Sequence, residues 1–101
     1  MKKFYAIPTH QNWKRVKAVL EELFALGFVF DEYRFKTWKE VSAIYWLSTL
    51  DSYSHIMVNS HADCKSTLHP RSYWVEDMPE NVIQIEMEEF VKGIKEGTIC
   101  L

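Results

Sequence analysis

Between residues 9 and 30 the apolar positions recur at helical spacing. Trp13, Val16, Leu20, Leu23 and Phe24 repeat every three or four residues with Val19 beside them, and Lys14, Arg15, Lys17, Glu21 and Glu22 fall largely opposite. A stripe of that width predicts an amphipathic helix with one face to bury. The Thr9 hydroxyl is suited to cap its start, and Gly27 to supply the left-handed residue that ends it. Upstream, residues 2–7 alternate as a strand does, with Phe4 and Ala6 on one side, Tyr5 and Ile7 on the other, and Pro8 closing the run. Residues 28–30 read as a second strand. A strand, a helix and a strand in this order predict a right-handed crossover if both strands lie parallel in one sheet.

Residues 31–37 mix charge with Tyr33 and Phe35 and read as a loop or a frayed strand extension. The run VSAIYWLSTL at 41–50, rich in β-branched and aromatic residues, is the strongest β segment. A polar turn at 51–54 then sends 55–59 back antiparallel, as a hairpin. Residues 60–81 have no clear period, contain Pro70 and Pro79, and are long for a connection inside a small domain. A short strand at 82–85 leads into a helix at 86–96. Phe90, Val91 and Ile94 point inward there, Glu86, Glu88 and Glu89 complement the helix dipole, and Gly97 is the stop. The predicted order is β-α-β-β-β-β-α. It specifies one α+β domain over residues 1–101, with a main amphipathic helix packed on a sheet of about five mostly antiparallel strands and a short C-terminal helix.

Composition narrows the class. At 101 residues the chain can bury one core but not two. A net charge of -2 gives no reason to expect general nucleic-acid binding. The charge is nonetheless split. Residues 1–40 carry eight Lys/Arg and five Asp/Glu, whereas 76–101 carry two Lys and seven Asp/Glu. Such a split makes complementary faces either within one fold or between two protomers of a homodimer. Lys2 and Lys3 precede too short an apolar run for a secretory signal, and no run approaches the roughly 18 apolar residues of a membrane span. Cys64 and Cys100 are far apart, and Cys100, second from the end, is not in a prenylation box. A cytoplasmic protein with free thiols and no membrane partner is the reading that follows.

Chemistry-bearing clusters are few. His55, His61, Cys64 and His69 fall within fifteen residues and are of types that ligate zinc, but their spacing lacks the usual paired knuckles. Cys64 with His61 or His69 is the one thiolate–imidazole arrangement that a cysteine-dependent hydrolase would use, yet no elbow glycine marks it. Paired carboxylates occur only in acidic runs, and glycines at 27, 93 and 97 cannot build a phosphate loop. No catalytic residue, metal site or cofactor is therefore assigned. The aromatic content says more. Four Trp, five Tyr and six Phe exceed what the predicted core absorbs, although Trp13, Phe24, Phe28 and Phe30 are expected inside. Tyr33, Arg34, Lys36 and Trp38 interleave rings with cations, and Arg71, Tyr73 and Trp74 repeat the mixture. Rings flanked by cations form interface hot spots or stack on a base while holding its phosphate.

Thr9, the helix running to Leu26-Gly27-Phe28, the aromatic step Ile44-Tyr45-Trp46 and the closing run from Ile83 to Glu89-Phe90 together resemble small single-domain accessory proteins of tailed bacteriophages, of the host-takeover or counter-defence type. The resemblance implies a protein at work in the cytoplasm of an infected bacterium. It would act by binding, either inhibiting a host or defence protein or sequestering a small nucleotide signal. The expectations are thus a non-enzymatic inhibitor, then an Arg/aromatic nucleotide pocket, then a metal- or cysteine-dependent hydrolase at His61, Cys64 and His69.

Overall fold

The computed structural model describes residues 4–45, 50–61, 64–71 and 80–99. These form, in order, β1 (Phe4–Pro8), α1 (Trp13–Ala25), β2 (Val29–Phe30), α2 (Trp38–Ile44), β3 (His55–His61), β4 (Cys64–Arg71), β5 (Val82–Gln84) and α3 (Met87–Glu96). The class is α+β, as the hydrophobic pattern requires.

The five strands lie in one sheet in the order β2-β4-β3-β1-β5. β3 pairs antiparallel with β1 and with β4, whereas β5 runs parallel to β1 and β2 parallel to β4. The sheet is therefore evenly mixed rather than mostly antiparallel. β1 and β2 do run parallel on either side of α1, but β3 and β4 lie between them. Pairings such as Tyr5 with Val58, Ile7 with Ile56 and Phe30 with Leu68 put these side chains on one face. Val16, Val19, Leu20 and Leu23 of α1, Val41 of α2 and Phe90 of α3 join them in a single buried cluster. The Phe90 ring stands edge-on to Tyr5 at 5.5 Å and tilted to Phe28 at 5.9 Å.

Local expectations are corrected as well. Thr9 does not cap α1. It is fully buried, its hydroxyl donates to the Tyr53 carbonyl at 2.6 Å, and the cap is Asn12, whose Oδ1 accepts from the Lys14 N–H at 3.0 Å. Trp13 lies at the open first turn of α1 and is 41% exposed rather than in the core, with Lys14 Nζ 5.8 Å from its ring centre. The expected strand at 41–50 is helical in its first part, because Thr37 and Glu40 build a helix start. The Glu40 N–H donates to Thr37 Oγ1 at 3.2 Å, and Glu40 Oε2 accepts from the Lys36 N–H at 3.4 Å. Trp38, Val41 and Tyr45 then turn the same way onto the core. Residues 46–49 lie outside the described residues.

The antiparallel partner of β3 is consequently β4, inside the stretch expected to be a long connection. Pro70 is tolerated there for a geometric reason. The Asp31 N–H donates to the Leu68 carbonyl at 2.7 Å, so Leu68 and, two residues on, Pro70 turn their backbone groups toward β2. β2 ends at Phe30, opposite Leu68, so Pro70 faces no ladder partner on that side.

Candidate binding surface at one end of the sheet

β1, β2, β4 and β5 all run in one direction, so their C-terminal ends and the start of β3 share one rim of the sheet. His10, Gln11, Asp31 and Arg34, the described non-glycine residues with positive φ, stand in the two loops that leave β1 and β2 at this rim. Left-handed backbone is unfavourable for side-chain-bearing residues and persists where the surroundings enforce it.

The loop after β2 is a tight turn. Phe30 and Phe35 exchange backbone hydrogen bonds at 2.8 and 3.0 Å, and the Arg34 N–H donates to the Asp31 carbonyl at 3.1 Å. Asp31 enforces the geometry. Its Oδ1 accepts from the Glu32 N–H at 2.6 Å and lies 3.8 Å from His69 Nδ1, and its Oδ2 accepts from the Tyr45 hydroxyl. The Tyr45 ring in turn meets Phe30 edge-on at 5.4 Å. What this scaffold presents is the Tyr33 ring, 67% exposed and stacked on Phe35 at 5.4 Å with 21° between planes.

Of the residues singled out in the sequence, the turn brings Tyr33, Arg34 and Lys36 together as exposed side chains. Trp38 follows them but packs half-buried against the core, so its ring is only partly available. Arg71, exposed, ends β4 at the same rim, opposite His55. Tyr73 and Trp74 lie outside the described residues.

The β3–β4 hairpin also disposes of the histidine–cysteine cluster as one site. His61 and Cys64 are paired at its turn, whereas His55 and His69 sit toward the rim. His69 lies five steps along the strand from Cys64, roughly 17 Å at 3.3 Å per residue. Among the described residues no three His, Cys, Asp or Glu side chains are grouped to hold a metal ion.

Other rim residues carry no local sequence signal. His55 is buried, its Nδ1 2.7 Å from Ser54 Oγ. Burial pushes its pKa down, only partly opposed by a hydrogen bond with the Gln84 side chain, while the neighbouring His10 lowers it further. Beside it, Glu86 Oε2 is 3.3 Å from His10 Nε2 and accepts from Arg15 at 3.1 Å, and Arg15 also donates to Glu88 at 3.0 Å. The hydrogen bond with Glu88 holds the Arg15 guanidinium more strongly protonated and the Glu88 carboxyl below its ordinary range. The charge split between the two ends of the chain is thus met, in part, inside one molecule. Only that split hinted at these contacts.

No family model, curated protein or solved structure matches this chain. Among the described residues no helix is long and apolar enough to cross a membrane.

Proposed function

We propose that this chain is a non-enzymatic binding protein that grips a protein partner through the turn carrying Tyr33, Arg34, Lys36 and the exposed part of Trp38, with Arg71 at the same rim. The observation that carries the reading is the Tyr33–Phe35 stack. A rigid aromatic pair two-thirds open at its tip and flanked by exposed cations is the composition of an interface hot spot. The turn is held by backbone pairing and by Asp31, so little ordering entropy is lost on contact. In the setting implied by the resemblance to phage accessory proteins, the partner is a host or defence protein and the outcome is inhibition.

The test is capture from bacterial lysate with the wild-type chain and with a Tyr33→Ala/Arg34→Ala variant, both positions being exposed enough to leave the fold intact. Retention of a defined protein by the wild type alone is expected. Equal retention by the variant overturns the reading. A second reading, capture of a small nucleotide, draws on Arg34 and Arg71 sharing one rim. Linear and cyclic nucleotides would then raise the melting temperature of the wild type and not of Arg71→Ala, growing with ligand concentration as mass action requires.

A further inference from the structure

The cations around Tyr33 are not matched within the chain. Among the described residues the ion pairs lie elsewhere: His10 and Arg15 with Glu86 and Glu88 beside α1 and α3, and His69 with Asp31. Arg34, Lys36 and Arg71 are exposed and belong to none of them. The acids close by in sequence are largely committed. Asp31 turns its carboxylate to Tyr45, His69 and the Glu32 N–H, and Glu40 accepts from the Lys36 N–H at the start of α2. Of these acids only the Glu32 side chain, exposed, makes no bond among the described residues. We infer that the turn binds an acidic segment of the partner protein, which lays an apolar or aromatic side chain on Tyr33 and sets Asp or Glu carboxylates against Arg34, Lys36 and Arg71. The inference rests on the reading of this turn as an interface and adds the chemistry of what covers it.

Ring and charge select the same occupant. Phe35 covers one face of the Tyr33 ring, and 67% exposure leaves the other open. An aromatic face ordinarily attracts a cation. Here a cation reaching it would meet like charge from Arg34 and Lys36, whereas a neutral side chain meets none. Carboxylates on either side of that side chain gain charge-assisted hydrogen bonds, and an Arg guanidinium can take one in bidentate fashion. Complementary charge of this kind also turns away basic segments. A nucleic acid fits less well, because the chain carries a net charge of -2 and Glu32 and Glu40 flank the cations of the turn.

The test is a random-peptide display library panned on the full chain, followed by synthesis of an enriched peptide. Enriched sequences carry Asp or Glu around an apolar or aromatic residue. The peptide binds at least tenfold more weakly to Arg34→Gln/Lys36→Gln, and more tightly to Glu32→Gln, which removes a like charge beside Tyr33. Its affinity for the wild type falls as salt rises from about 0.1 M to about 1 M, where the screening length shrinks from about 10 Å to about 3 Å. That readout holds even where a variant folds poorly. Affinity that ignores salt and the charge variants but is lost with Tyr33→Ala overturns the inference and leaves the interface reading standing. Affinity untouched by Tyr33→Ala overturns both. Enrichment of neutral or basic sequences, or no enrichment, overturns the inference. So does a wild-type dimer in sedimentation that Arg34→Gln/Lys36→Gln dissolves, because the occupant is then a second copy.

Discussion

The two edges of the sheet are built to opposite plans. At one, β2 is two residues long and fully buried, and its outer side is taken by Phe35 as the chain folds back on itself. Asp31, Tyr45 and the Thr37–Glu40 helix start brace that closure. At the other, β5 is three residues long and half-buried to exposed, with no equivalent turn among the described residues. A sheet edge is a template for another chain unless something occupies it. Here local turn chemistry occupies one edge and presents Tyr33 on its far side, while at the other the outward groups of Val82 and Gln84 meet no backbone partner among the described residues. Among the described residues the two edges thereby differ in what they expose, side chains in one case and main chain in the other.

The contrast can be broken hardest at Phe30. It is fully buried at the closed edge, and Phe30→Ala is expected to cost about 3–5 kcal/mol in urea unfolding. A cost below about 1 kcal/mol would show that the closed edge is not part of the core. Thr37→Ala removes the oxygen that accepts from the Glu40 N–H and should cost about 1 kcal/mol. The loss should appear in the same unfolding curves with the m-value unchanged.

A third effect ties β5 to the sheet centre. Burial lowers the His55 pKa, and Gln84 of β5 bonds to that ring. The unfolded chain therefore binds a proton, near its ordinary pKa of about 6.5, that the folded chain takes up only at lower pH. The contribution is fully present above that value and is lost as pH falls through the folded pKa. Melting temperatures from about pH 8 to about pH 5 should fall more for the wild type than for His55→Gln. Parallel curves would contradict a buried neutral imidazole. The smallest effect belongs to β5 itself. Ile83→Thr should change stability by no more than about 0.5 kcal/mol, since the side chain is already part exposed and threonine suits a strand.

Where period and punctuation agreed, the chain was legible. α1 with its glycine stop at Gly27, β1, β5 and α3 with its left-handed Gly97 all form close to where the pattern put them. Composition misled at Val41, where β-branched and aromatic content outweighed the helical spacing of Trp38, Val41 and Tyr45 and the Thr37–Glu40 pair. Pro70 misled in the other direction, because its tolerance in β4 depends on β2 ending two residues short, which is a tertiary fact. Thr9 and Asn12 are both competent caps. Only the long-range bond from Thr9 to Tyr53 decides between them. Of the candidate surface, the grouping of Tyr33, Arg34 and Lys36 was visible as interleaved rings and cations. The ion pairs of Arg15 with Glu86 and Glu88 join residues more than seventy positions apart, and no local pattern encodes them.

The placement of β3 and β4 between β1 and β2 also fixes an order of assembly. The first two strands are complete by Phe30, but neither pairs with the other, and each needs a partner from the hairpin that ends at Arg71. A chain emerging from the ribosome can coil α1 early, yet it owns no strand ladder until the hairpin arrives and wedges between strands made long before. A fragment ending at Ser54 would accordingly give a helical circular-dichroism signal with no sheet component.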